Sequence, residues 1–154
     1  MTKDVPHFSV KDPDYEARGR RSFANQTLMT TLGAALGDVQ PGHVEIVMPF
    51  APQILQQHGF VHAGAISAIV DTACGFAAMT LMPKGAGVLT TEFKINLMSP
   101  AKGERFIAVG RVIRPGNKLI ITLGECFAET DGKRKLIALM TASMMVMDTP
   151  GIVD

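Results

Sequence analysis

Residues 56 to 82 read QQHGFVHAGAISAIVDTACGFAAMTLM, and between His62 and Met82 the one side chain charged at neutral pH is Asp71. The rest of that run is Ala, Gly, Ile, Val, Phe, Met and small polar residues. Projected at about 100° per residue, Asp71 shares a helical face with Gly64, Ser67, Ala68, Cys74, Gly75 and Ala78, while Ile66, Ile69, Ala73, Phe76, Ala77 and Thr80 lie opposite. The bulky face is a core face. A lone carboxylate among small residues marks the other face as a place for a ligand or for a second helix, because a surface helix normally carries several charges. A membrane span is not the reading: the run is rich in Ala and Gly, holds a central Asp, and lacks flanking basic and aromatic anchors.

A chain of 154 residues is most simply one domain with a sizeable core. Fifteen basic against fourteen acidic residues make no basic field, so nucleic acid and anionic membrane surfaces are not expected partners. The N-terminal MTKDVPHFSVKDPDYEARGRR is polar and charged, unlike a secretory leader, and the expected location is cytoplasmic. Cys74 and Cys126 are too few and too far apart for a disulfide framework or a zinc pattern, and both read as reduced core residues.

Outward from the central helix, residues 1–15 carry Pro6 and Pro13 without a clear period and read as an arm. Residues 14–33 suit one helix through Phe23, Leu28, Met29 and Leu32, stopped by Gly33. Residues 34–49 form a hairpin around Pro41-Gly42, with Val44, Ile46 and Met48 alternating inward. The long helix covers about 65–81 and is closed by Pro83 and Gly85. Four strands follow, over 88–97, 104–114, 118–130 and 134–147, the last two joined at Asp131-Gly132. In the first of them Leu89, Thr91, Phe93, Ile95 and Leu97 alternate onto one face. The expected fold is α+β: one long apolar helix wrapped by a curved antiparallel sheet of about six strands, in a single domain over 16–148 with a short tail at 149–154.

Gln56 stands six residues before His62-Ala63-Gly64, and Asp71 nine residues after His62. Thr90, Asn96, Ser99-Pro100-Ala101 and the basic turn Arg114-Pro115-Gly116-Asn117-Lys118 follow in order. Over about residues 22–148 this series resembles the hotdog-fold acyl-CoA thioesterases, in the branch of the phenylacetate-pathway and 4-hydroxybenzoyl-CoA thioesterases. That branch has Gly where this chain has Ala63, which adds a methyl group beside the expected thioester but keeps the backbone N–H.

The resemblance implies hydrolysis of an acyl- or aryl-CoA thioester, with coenzyme A as part of the substrate and no separate cofactor. Helix N-terminal N–H groups at Ala63 and Gly64 suit the thioester carbonyl oxygen. Asp71 would attack the carbonyl or act as general base on a water, Thr90 would hold that water, and Gln56 would donate to the carbonyl oxygen. His62 is expected to shape the loop before the helix. His58 and His62 have a four-residue spacing, but Gly59 between them argues against a metal pair, and no metal is expected. Gly75 and Asn96 are further candidate substrate contacts. With no Gly-rich phosphate loop in the chain, Arg114 and Lys118 are the candidates for the CoA phosphates. Two other classes compete: a hotdog dehydratase or hydratase, which pairs His and carboxylate at other spacings, and a non-catalytic acyl-CoA-binding hotdog protein, which would not need Asp71.

Asp71 lies seven residues beyond Gly64, roughly 10 Å along a helix at 1.5 Å per residue. A second helix antiparallel along the small-residue face would bring another subunit's Asp71 to those N–H groups. The expected assembly is a homodimer or a dimer of dimers with shared active sites.

Overall fold

The computed structural model describes residues 7–152. It contains helices α1 (Tyr15–Ala24), α2 (Thr27–Thr31) and α3 (Ala63–Met79), and strands β1 (Ala35–Gln40), β2 (His43–Pro49), β3 (Gly87–Leu97), β4 (Arg105–Arg114), β5 (Leu119–Thr130) and β6 (Lys133–Met147). The strands make one antiparallel sheet in the order β1-β2-β4-β5-β6-β3, so the chain crosses from one edge to the interior between β3 and β4. Helix α3 packs across β2 to β6. This is the wrapped helix the sequence predicts.

What lets the helix lie so close is a pair of glycines. Gly110 and Gly124 are directly opposed on β4 and β5. A Cβ on Gly110 would come within 2.2 Å of the Ala73 carbonyl oxygen, and one on Gly124 within 2.4 Å of Val70 Cγ1 and 2.8 Å of Cys74 Sγ. The α3 backbone therefore rests on the sheet backbone at Gly110, and the Val70 and Cys74 side chains rest on it at Gly124. Val70, Ala73, Cys74 and Ala77, at one-turn spacing, are all fully buried against it.

Three expectations change. The single helix over 14–33 is two helices, broken at Asn25 and the extended Gln26. A continuous helix would set Phe23 and Met29 about 120° apart, and the break lets Phe23 meet Phe76 edge-on at 5.8 Å while Met29 is buried. Cys74 sits on the sheet side of α3, not with Asp71, and Ala78 is buried too. Only the stretch from Gly64 to Asp71 keeps its small face open. The third change is in β3. A register shift between Thr90 and Glu92 leaves Thr91 without a cross-strand partner. Val88, Thr90, Phe93, Ile95 and Leu97 now oppose the inward-facing Val146, Met144, Ala142, Met140 and Ala138 of β6. Leu89 turns to the outer face instead.

The segment before α1 is irregular but held. Asp12 pairs with Arg18 at 3.2 Å, both nearly fully buried. The Arg18 guanidinium also donates to the carbonyls of Met79 (2.8 Å), Met82 (3.2 Å) and Pro83 (2.8 Å). These are carbonyls at and just beyond the last turn of α3, so α1 supplies the cap for the central helix. Expectations for residues 1–6 and 153–154 lie outside the described residues.

Candidate functional site

The N-terminus of α3 is built by His62, which is its N-cap. Nδ1 of His62 accepts from the Gly64 N–H at 2.8 Å, which requires Nδ1 to be the unprotonated ring nitrogen. The Gly64 donor expected to face a carbonyl oxygen is thus occupied. The Ala63 N–H, at the first helical position, has no acceptor within the helix and remains available.

Ala63 opens onto a cleft of about 470 Å3 lined by Gln56, Phe60, His62, Leu97, Ser99 and Ala101 among others. The Gln56 side chain is oriented by its own loop: its Oε1 accepts from the His58 N–H. The amide NH2 is then the half left to donate into the cleft it shares with Ala63. The His58 ring nitrogen Nε2 lies 3.4 Å from the Gln57 amide nitrogen. No three of His, Cys, Asp and Glu converge among the described residues.

Asp71 lies farther along α3, half-buried. The Thr90 hydroxyl donates to Asp71 Oδ1 at 2.8 Å and also approaches Met144 Sδ at 3.4 Å. This contact exists because the bulge at Thr91 turns Thr90 inward. Burial raises the Asp71 pKa above the usual carboxylate value, and the Thr90 hydrogen bond opposes that rise. The result is a carboxylate of increased basicity, with one oxygen held and the other without a hydrogen-bond partner among the described residues. Around it is a second cleft of about 320 Å3, lined by Gln26, Leu28, Ala68, Gly75, Phe76 and Val88 as well as Asp71 and Thr90. Gln26 and Leu28 carry no signal in the sequence as site residues, since only the break between α1 and α2 brings them here.

The remaining candidates separate. Asn96 opposes Leu139 on β6, on the sheet face turned away from α3, so it does not share a face with Thr90. Arg114 and Lys118 are exposed around the β4–β5 turn. That turn borders Leu81 and so sits at the C-terminal end of α3, opposite Ala63. Cys74 is no nucleophile: burial pushes its thiol up to about 12, and Cys126 likewise, so both stay protonated at neutral pH.

Two half-sites therefore occupy different clefts of one chain. One is lined by Gln56 and Ala63, with an amide and a helix N-terminal N–H, and the other by Asp71 with Thr90. Eight residues of helix separate Ala63 from Asp71, about 12 Å along the axis.

Solved structures of the same shape include a thioesterase family protein of Silicibacter pomeroyi, 46% identical with a TM-score of 0.85, covering 86% of this chain and 98% of that one. The PaaI protein from the phenylacetic acid degradation operon of Escherichia coli shares the fold, with a TM-score of 0.80 at 18% identity over 90% of this chain and 96% of that one. A protein of Saccharolobus solfataricus that carries a provisional esterase name is 29% identical over 96 residues, which span 62% of this chain and 67% of that protein. The fold is the hotdog fold. Residues 58–135, which run from the loop before α3 through the β5–β6 turn, match the model of the thioesterase superfamily, and the chain belongs to that superfamily.

Proposed function

We propose that this protein hydrolyses an acyl- or aryl-CoA thioester to the free acid and coenzyme A, at a site shared by two copies of the chain. The observation that carries the reading is Asp71, a desolvated carboxylate gripped by Thr90 in a cleft of small and apolar residues. Such a group is a better base than a solvated Asp. In the general-base form, its free oxygen takes a proton from a water that attacks the thioester carbon. The Ala63 N–H and the Gln56 amide stabilise the oxyanion at the helix N-terminus, and the CoA thiolate leaves. Direct attack by Asp71 through an anhydride is the alternative, and trapping with labelled water distinguishes the two.

The half-sites meet when a second α3 runs antiparallel along the open face between Gly64 and Asp71. The free edge of β3 supports that arrangement. Phe93 and Leu97 point to the helix side yet are 46% and 52% exposed, because α3 of the same chain leaves them uncovered. A dimer, or a dimer of dimers, covers them. In an antiparallel pair the second copy's β4–β5 turn approaches the Ala63 end, where Arg114 and Lys118 would meet the CoA phosphates. A dehydratase is disfavoured, because His62 Nδ1 is engaged by the Gly64 N–H.

The test is release of free thiol from a panel of acyl-CoAs by wild type and Asp71→Ala. The expected result is turnover of at least one thioester by wild type and a loss of at least about a hundredfold in the variant. Retention of more than about a tenth of the wild-type kcat removes Asp71 from the reaction. In the same assay Arg114→Ala with Lys118→Ala is expected to raise KM well beyond any fall in kcat, and an unchanged KM at low salt places the phosphates elsewhere.

A further inference from the structure

We infer that Gln26 is a specificity-determining residue that selects acyl groups carrying a hydrogen-bonding atom some distance from the thioester. The inference rests on the proposed hydrolysis and concerns the cleft around Asp71. Its lining is apolar or small at Leu28, Ala68, Gly75, Phe76 and Val88, and outside the Asp71–Thr90 pair and Thr72 the one polar side chain on it is Gln26. Gln26 is half-buried and is the N-cap of α2, yet its side chain makes no cap hydrogen bond. The side-chain amide has no hydrogen-bond partner among the described residues, in a cleft where all its neighbours but Asp71, Thr72 and Thr90 are apolar. Its amide atoms are not shut away from solvent in the free protein, but an acyl group that fills the cleft and displaces water from them leaves the amide unpaired unless it brings a polar atom of its own.

Position fixes what that atom can be. The Gln26 N–H donates to the Phe23 carbonyl at 3.0 Å, and Phe23 packs edge-on against Phe76. Gln26 therefore borders the Phe76 end of the cleft, while Asp71 and Thr90 hold the other. Five residues of helix lie between Asp71 and Phe76, about 7 Å. Gly75 keeps the space between them open. A Cβ there would find nothing nearer than Val88 Cγ1 at 4.0 Å, so no contact within the chain demands glycine. Glycine in mid-helix is unfavourable by about 1 kcal/mol relative to alanine, and the room it leaves belongs to the cleft. An acyl chain that starts at the attacked carbonyl and extends past Gly75 reaches Gln26 about six bonds later, at roughly 7 Å. A hydroxyl or carbonyl oxygen at that point pairs with the amide, whereas a methyl group leaves it unpaired.

The matched probes are hexanoyl-CoA and omega-hydroxyhexanoyl-CoA, measured with wild type and with Gln26→Met, which keeps length and removes both polar atoms. A second variant, Gln26→Leu, guards against a packing effect of the thioether, and thermal unfolding checks that each variant folds. The wild type is expected to prefer the hydroxyacyl substrate by about tenfold or more in kcat/KM, because rejecting a substrate that leaves a site's polar group unpaired is effective. In both variants that ratio is expected to fall to about one. Equal rates for the two probes with wild type, or a ratio unchanged by both substitutions, overturns the role of Gln26 and leaves the thioesterase reading standing. No hydrolysis of any acyl-CoA overturns that reading, and this one with it.

Discussion

Replacing Asp71 by Asn should make the protein more stable as it destroys the reaction. The exchange is isosteric, and the Asn carbonyl oxygen still accepts the Thr90 hydroxyl that now meets Oδ1 at 2.8 Å. What disappears is the cost of holding a negative charge where burial has raised its pKa above 3.8. Each unit of such a rise corresponds to about 1.4 kcal/mol. Asp71 is only half-buried, so solvent screening returns part of that. In a chain of this length 1 kcal/mol moves Tm by about 2–4 °C, so a measurable gain in Tm is expected at pH 7 to 8, reduced by that screening. The sign follows from linkage: a folded-state pKa above the unfolded value means that the native protein holds the proton more tightly. The wild type therefore loses stability as pH rises from 3.8 through the raised value, and regains it on acidification. The advantage of Asp71→Asn should shrink as pH falls through that window and vanish below it. Thermal melts followed by circular dichroism across the pH range read this directly. An Asn variant less stable than wild type at neutral pH would refute the argument, since it would mean that a cation stabilises the carboxylate.

The same carboxylate should govern the pH profile of the proposed hydrolysis. kcat/KM should fall on the acid side with an apparent pKa above 3.8, and Thr90→Val should move that limb to higher pH, because the hydroxyl holds the pKa down. A limb unmoved by Thr90→Val would deny their coupling. Gln56→Ala and Asp71→Ala homodimers should each be inactive, while dissociating and reassociating a mixture should restore activity, one site of each mixed dimer being intact. Verified mixed dimers without activity would confine the site to one chain. Gly110→Ala should cost about 3 kcal/mol or more, since its new methyl group would meet the Ala73 carbonyl and backbone cannot swing aside. In melts this is a fall of at least about 6 °C, and a smaller change would mean that α3 lifts readily from the sheet.

The spacing of Gln56, His62 and Asp71 was legible because it is local. Six and nine residues of one loop and one helix fix a loop amide, an N-cap and a mid-helix acid whatever the sheet does. The hairpin turn at Asp131-Gly132, both at positive φ (50° and 71°), was legible for the same reason. What failed depended on partners distant in the chain. Alternation along β3 put Leu89 and Thr91 with Phe93, but the pairing with β6 absorbs one residue at Thr91 and reverses the faces before it. That slip is why Thr90 meets Asp71 and why Asn96 does not join them. Capture of the Gly64 N–H by His62 depends on a rotamer that sequence does not carry. Arg18 reads as one more charge of a basic stretch until the end of α3, more than sixty residues on, is folded onto it.

The glycine pair on β4 and β5 bears on how such a site withstands change. Ala73, two residues beyond Asp71, touches Gly110 main chain to main chain, so the height of the helix above the sheet is set by contact between backbones. Side chains elsewhere in the core, such as Met29, Ile46 or Met48, are not among the atoms nearest either glycine. Substitutions there can alter packing and stability while the acid stays at the same depth. Gly110 and Gly124 act as a datum for the chemistry, and the interior is left free to drift around it.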